Sequence, residues 1–431
     1  MTADPTTPAS PGRRLAPLFP AVAASYLGYA MMATLFVPML MSTSAGYLPA
    51  DDTLSRRTTV LGVLLILYPL GQFLGNSILG SLSDQYGRRR VLLLSSVGTI
   101  FCYVGIGVAL ELKHLVLLAP FLVLCGLVEA NTALAMSAIA DVTTETTRPK
   151  YIALVYAVTS VAYAVGPPLG GVLAATYGYA LPFWIVLAGL VAVLIWLQFA
   201  FVETLPPERR QHAPILRSLS GLSEVFTDTR LRRLYLANFL AYVSVMGFGR
   251  VITIYLVDTW QLSVGKVAAC YSALAVGAGV ANFLLTPRLS RRMSMRTLAL
   301  ACLAIGGVTV AAVVIPGQIG MSGSLAIAVV LIAVAGVVLA ISLAAVATVL
   351  SAAAPDARQG KVMGNNAALL VLGEVVGVSG GAFIAGIRTW LPLLVLAGLA
   401  IVACVLIGVP KSVTPLEVLE PESAPRAGTW S

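Results

Sequence analysis

Residues 80–93 read GSLSDQYGRRRVLL, a short polar and basic knot set between two long apolar runs, 58–82 and 91–110. Each run is long enough to cross a bilayer, which takes about 20 mostly apolar residues. At 287–300, 207 residues on from Gly80, stands PRLSRRMSMRTLAL, again between apolar runs. Leu289 and Ser290 take the places of Leu82 and Ser83, and basic residues follow in both copies. A further echo comes at an offset of 210, where Arg148 corresponds to Arg358 and Gly170-Gly171 to Gly380-Gly381. Two echoes in the same order mark an internal duplication, and a repeat constrains the fold more strongly than any single motif.

Moving outward from the knot, apolar stretches bounded by glycine, proline or charge fall at 17–42, 58–82, 91–110, 114–140, 151–175 and 181–202. After a polar stretch, six more follow at 231–257, 265–288, 297–316, 323–353, 362–387 and 390–410. The spacing predicts an all-α integral membrane protein of twelve transmembrane helices in two pseudo-symmetric halves. An even number of helices per half gives both halves the same orientation. The organisation expected is an N-terminal tail (1–16), a six-helix half (17–202), a linker (203–230), a second half (231–410) and a C-terminal tail (411–431). Composition agrees: 58% of the 431 residues are hydrophobic and 10% charged, with mean hydropathy +0.93. A soluble domain carries about 25% charged residues, so a water-facing globule and large extramembrane domains are both excluded.

The net charge of +9 is topology rather than a nucleic-acid footprint. Lys and Arg are retained on the cytoplasmic side of a membrane. With a cytoplasmic N-terminus, 21 of the 27 cations fall inside, among them Arg13, Arg14, Arg88, Arg89, Arg90, Arg148, Arg291 and Arg292. Only Arg56, Arg57, Lys113, Lys266 and Arg388 fall outside, and Arg250 lies within a span. Both termini are therefore expected to be cytoplasmic, in a multi-pass protein of the plasma (inner) membrane. The first apolar run, about 25 residues, exceeds the 7–15 of a signal-peptide core, so the N-terminal tail is expected to be retained. Cys102, Cys125, Cys270, Cys302 and Cys404 all lie inside apolar runs, without metal or disulfide spacing. With only His114 and His212 besides, neither a metal site nor a cofactor is expected.

With these residues in view, the chain from 17 to 410 resembles the major facilitator superfamily, and within it the twelve-helix drug/proton antiporters such as tetracycline-efflux pumps. GSLSDQYGRRR, from Gly80 to Arg90, is similar to that family's signature loop between helices 2 and 3. AVGPPLGG, from Ala164 to Gly171, is similar to the antiporter motif of helix 5. Ala140-Asp141-Val142-Thr143 and FVETLP (201–206) look like weaker signposts. The resemblance implies a gating role for Gly80, Asp84, Gly87, Arg88 and Arg89, with Asp84 clasping nearby basic groups and the start of helix 11. It implies a closing role for Gly166, Pro167, Gly170 and Gly171. Read on their own, Gly80 and Gly87 permit close approach and a tight turn, and Arg88–Arg90 can anchor the loop at the headgroups. Pro167 and Pro168 remove helical hydrogen bonds and bend helix 5. Two departures stand out: the arginine that antiporter relatives carry in helix 4 falls at Leu122, and helix 1 has no acidic residue.

Ionisable groups within a span are costly unless paired or solvated, which makes them functional candidates. Three qualify: Glu129 in the middle of helix 4, Glu374 in the middle of helix 11, and Arg250 in helix 7. A carboxyl in a low-dielectric cavity can take a proton from one side and release it to the other, which makes Glu129 and Glu374 the proton-coupling candidates. Arg250 can pair with either glutamate, hold an anionic substrate, or snorkel to the outer interface. Tyr29, Gln72, Asn76, Tyr156, Tyr163, Asn238, Tyr242 and Asn366 are further substrate-path candidates, each also open to a plain interhelical hydrogen bond.

The function expected is secondary active transport by alternating access, proton-coupled and with export of a small amphipathic drug or metabolite as the leading direction. The alternative is proton-coupled transport of an anionic metabolite, such as a carboxylate siderophore, in either direction. ATP hydrolysis lacks its phosphate loop, and a membrane enzyme would need a nucleophile and base or a metal cluster in mid-span. A small-molecule substrate, protons and the lipid bilayer are the expected partners, nucleic acid is not, and the chain is expected to work as a monomer.

Overall fold

A computed structural model describes residues 11–129, 131–144, 147–210, 231–319, 323–353 and 359–409. The expected tails, apart from 11–16, and most of the linker lie outside these residues. Among them, twelve helices are long and apolar enough to cross a membrane. These are α1 (Leu18–Met41), α2 (Leu54–Tyr86), α3 (Arg88–Glu111), α4 (Leu115–Val142), α5 (Arg148–Tyr177) and α6 (Leu181–Ala200). The second set is α7 (Arg232–Trp260), α8 (Val264–Leu289), α9 (Met295–Ile319), α10 (Ser324–Ala353), α11 (Gln359–Ala385) and α12 (Leu391–Gly408).

Side chains that satisfy free backbone groups start several of these helices. Thr53 accepts from the Arg56 amide at the start of α2 at 3.3 Å, and Ser294 accepts from Thr297 at the start of α9 at 3.1 Å. His114 does the same for Leu117 in α4 at 3.1 Å. The α2–α3 and α5–α6 turns pass through Gly87 and Gly178 at φ of +96° and +90°, which side chains rarely tolerate. Arg57 is buried and donates to the Leu40 carbonyl at 2.8 Å, tying the α1–α2 loop to the end of α1. In the same loop region, Tyr47 packs edge-on against Tyr179, and burial pushes each phenol up to about 12.

The helices keep going where prolines suggested interruption. Pro38, Pro69, Pro120, Pro167 and Pro168 all lie inside helical segments. The break in α4 comes instead at Glu129, whose φ of −92° and ψ of 78° end the helix Leu115–Val128 before a second segment, Asn131–Val142, begins. The uninterrupted helix expected over 114–140 is thus two pieces, α4a and α4b. A second irregularity is the π turn Ala281–Leu285 in α8.

Glycine sets which helices approach most closely. A Cβ on Gly71 or Gly75 of α2 would lie 2.1 Å from the Val123 or Leu127 carbonyl of α4a. On α8 and α10, a Cβ at Gly277 or Gly336 would lie 2.4 Å from Ala333 O or 2.2 Å from Leu274 O. The first six helices and the last six also meet along a seam. At the end remote from Arg88–Arg90, a Cβ on Gly62 of α2 would sit 3.0 Å from Ala382 Cβ of α11. One on Gly171 of α5 would sit 2.5 Å from Ala268 Cβ of α8. At the arginine-bearing end, α4b packs against helices of its own set, α1, α2, α3 and α5, and α10 against α7, α8, α9 and α11. The seam is therefore tight at one end and parted at the other.

Candidate functional site

At mid-span the seam is crossed by charge. Glu374 of α11 accepts a hydrogen bond from the Tyr29 hydroxyl of α1 and one from Arg250 Nη2 of α7 at 3.3 Å. The Arg250 guanidinium also lies over the Tyr29 ring, 5.1 Å from its centroid, and donates to the Tyr271 hydroxyl at 3.4 Å. Arg250 and Glu374 are only 5% and 8% exposed, so the arginine faces the seam rather than reaching for the outer interface. Tyr29 stacks on Tyr68 of α2, centroids 4.7 Å apart, and meets Tyr163 of α5 edge-on at 6.3 Å.

Behind the stacked rings lies Glu129, 3% exposed, at the break in α4. Its Oε2 accepts from the Tyr68 hydroxyl at 2.8 Å and from the Cys125 thiol at 3.6 Å. No ion pair reaches it among the described residues, unlike Glu374. The two carboxyls are thus joined by a chain of contacts: Glu129, the Tyr68 hydroxyl, the Tyr68–Tyr29 stack, the Tyr29 hydroxyl, Glu374. Next to this chain, Tyr29, Met32, Phe36, Leu64, Leu65, Tyr68, Leu122 and Arg250 enclose about 270 Å³ not filled by atoms.

The other expected path residues divide. Asn238, Asn366 and Tyr242 form a separate knot between α7 and α11, with Asn238 Nδ2 donating to Asn366 Oδ1 at 3.1 Å and Asn366 Nδ2 to the Tyr242 hydroxyl at 2.7 Å. Tyr156 is exposed, and its hydroxyl interacts with Tyr26 and Tyr242 from the two sides of the seam. Gln72 and Asn76 are half-buried on α2, and among the described residues no hydrogen bond joins them to the Glu374 cluster. No group of three His, Cys, Asp or Glu suited to a metal occurs among the described residues, and the five cysteines are free.

The signature loop is clamped, but within its own set of helices. Arg88 pairs with Asp84 at 2.6 Å and with Asp141 of α4b at 3.0 Å. Among the described residues no ion pair joins Asp84 to α11, and its side chain is 47% exposed. Gly80 faces open space, so the close approach expected there is not made in this conformation. Glu203 holds the start of α3: Oε1 accepts from the Arg88 amide at 2.9 Å and Oε2 from the Arg89 amide at 3.2 Å, a favourable place for an anion. Arg89 in turn donates to the Phe201 and Gln198 carbonyls at the end of α6. In α5, Gly166 and Gly170 face Ala30 and Met31 of α1, and only Gly171 faces the other set of helices.

A family model, described as Major Facilitator Superfamily, matches residues 18–328 and 234–429. The chain belongs to the major facilitator superfamily. It is 28% identical over 413 residues to the class D tetracycline resistance protein of Salmonella ordonez, covering 89% of this chain and 95% of that one. It is 26% identical over 331 residues to the enterobactin exporter of Escherichia coli, covering 76% and 77% of the two chains. The human organic anion transporter MFSD10 shares the fold, at TM-score 0.66 and 19% identity over 93% of this chain and all of that one. This facilitator is thus a multi-pass membrane transporter of small molecules, and its relatives are transporters rather than enzymes. Leu122, where antiporter relatives were expected to carry arginine, lines the same pocket as Arg250. In this facilitator the pocket's cation comes from α7.

Tyr68, Tyr271, Asp141 and Glu203 take part in these clusters without having been marked as site residues by the sequence. Asp141 and Glu203 lay in weak signposts. Tyr68 and Tyr271 could be found only as hydroxyls within apolar runs, a signal they share with Tyr26 and Tyr103.

Proposed function

We propose that this facilitator is a secondary active transporter that exports a small amphipathic molecule in exchange for protons, by alternating access. The observation that carries this reading is the mid-span link of Tyr29, Glu374 and Arg250 across the seam, with an unpaired carboxyl, Glu129, behind it. Glu129 is assigned the proton, because no side-chain cation balances its charge. Glu374 is assigned to the link, where its charge holds Arg250 and Tyr29 together. Protonating Glu374 would remove both attractions, and the halves could then part on the tight side.

The cation distribution supports an inner-membrane protein with the Arg88–Arg90 end and both termini in the cytoplasm. In that orientation the parted end of the seam faces the cytoplasm, the side from which an exporter loads. Glycine-on-carbonyl packing at α2–α4 and again at α8–α10 supports two duplicated six-helix halves, and the chain is read as a monomer. The test is purified protein in liposomes under an imposed pH gradient, with a substrate screen and internal pH followed. Substrate movement should be coupled to proton movement, and Glu129→Gln should abolish it. Full pH-driven activity in that variant would remove Glu129 as the coupling group.

A second reading is favoured by Arg250, the mid-span cation. An acidic substrate could take its guanidinium bidentately in place of Glu374, consistent with relatives named as an enterobactin exporter and an organic anion transporter. Arg250→Ala separates the readings: transport of anionic substrates should be lost while that of neutral or cationic ones survives.

A further inference from the structure

The break in α4 leaves buried oxygens without partners. Glu129 Oε1 and Asn131 Oδ1, on the two sides of the break, and the Tyr103 hydroxyl of α3 have no hydrogen bond among the described residues. All three residues are more than nine-tenths buried. They are neighbours through α1. The Ser25 hydroxyl accepts from Asn131 Nδ2 at 2.7 Å and lies beside the Glu129 carboxylate. Tyr103 is close enough to feel the Glu129 charge. Its hydroxyl stands 1.8 Å from where a Cβ on Gly28, one turn along α1 from Ser25, would be, so only glycine leaves room for it.

The unpartnered atoms are all oxygens, and a carboxylate and an amide carbonyl can only accept. The group that would satisfy them is therefore positive. The available cations do not serve: Arg250 is engaged by Glu374, and no ion pair reaches Glu129 among the described residues. An all-oxygen set suits a hard cation, and a single carboxylate balances a single charge. A helix broken at mid-membrane is also where secondary transporters present ion ligands.

We propose that the hollow at the α4 break binds a sodium ion through oxygens of Glu129, Asn131, Ser25 and Tyr103. This rests on the transporter reading only in sharing Glu129, for whose carboxylate sodium and protons then compete. Sodium binding should weaken as pH falls, with apparent Kd rising about tenfold per pH unit once the carboxyl is titrating.

The test uses the full chain in detergent, melted in sodium, potassium or choline chloride at equal ionic strength over a range of pH, with radiolabelled sodium binding alongside. Sodium alone should raise the melting temperature saturably, by about 5 °C at 100 times Kd. Tyr103→Phe deletes a hydroxyl that has no other partner. Without sodium the variant should melt no lower than the parent, and its sodium Kd should be about tenfold weaker. Identical melting in the three salts at every pH, with no sodium bound, would overturn the proposal. If pH-driven transport still required Glu129 in sodium-free buffer, that result would remove the sodium site and leave proton coupling standing. Saturable sodium binding without any pH-driven transport would retain the site and remove proton coupling.

Discussion

Tyr29→Phe isolates the one hydrogen bond that crosses the seam at mid-membrane. Its acceptor, Glu374, is a buried carboxylate. A hydrogen bond to a charged group contributes about 1.5–3 kcal/mol. Phenylalanine keeps the ring that stacks on Tyr68 and lies under Arg250, so the cation–π contact and the packing survive while the hydroxyl goes. If the bond is made only when the seam is closed at its remote end, its loss shifts the equilibrium toward the opposite conformation by about tenfold to a hundredfold, at 1.4 kcal/mol per decade. Spin labels at Thr176 on α5 and Lys266 on α8, both exposed near that end, read the change by pulsed electron paramagnetic resonance. A long-distance population should appear or grow in the variant, and substrate-independent opening should accompany it. A distance distribution superimposable on that of the parent, in a variant melting within a degree or so of it, would refute the assignment of Tyr29 as a cross-seam link.

Arg250 and Glu374 form a buried pair, so removing either partner should cost about 3–5 kcal/mol of stability. Arg250→Met with Glu374→Gln together should cost far less than the two separate losses, and additive losses in a denaturant titration would count against a coupled pair. Asp84→Asn should change stability by less than about 1 kcal/mol, because its bond to Arg88 is half exposed. Its turnover in liposomes should nonetheless fall with substrate affinity unchanged, and a large loss of affinity would argue against a gating role. Gly171→Val places side-chain atoms where even a Cβ comes within 2.5 Å of Ala268. The same spin-label pair should then report separation of α5 from α8, and a parental distance would show that the seam absorbs the bulk.

The fold was legible because hydropathy and cation placement both repeat through the chain, and each depends on the bilayer rather than on any particular contact. Glu129, Glu374 and Arg250 were legible for the same reason, as charges without a place in the topology. Their arrangement was not. Glu374 meets Tyr29 across 345 residues of chain, through a register between helix sets that no local pattern encodes. The break at Glu129 was hidden because its neighbourhood lacks the usual breaker, while Pro120, the visible one, is carried inside α4a. The signature loop divides in the same way. Gly87 announced a turn that its positive φ fulfils, whereas the partner for Gly80 depends on which end of the seam is closed.

The two buried carboxyls differ in what holds them, and that difference constrains how coupling can work. Glu374 and Arg250 both come from the last six helices, so the pair need not break when the halves move. Tyr29 and Tyr68 both come from the first six, so their stack also need not break. What must change is the contact between these two rigid units, and it consists of the Tyr29 hydroxyl on Glu374 and Arg250 over the Tyr29 ring. The hydroxyl bond requires Glu374 as an acceptor, and Arg250 is held at the ring by the same carboxylate. Tyr68, stacked on Tyr29, also donates to Glu129. A displacement of Tyr29 therefore reaches the Glu129 carboxyl through two aromatic rings, without any helix needing to unfold. On this geometry, proton binding at Glu129 and seam opening at Glu374 should be coupled, and Tyr68→Phe should uncouple them while leaving the Arg250–Glu374 pair intact.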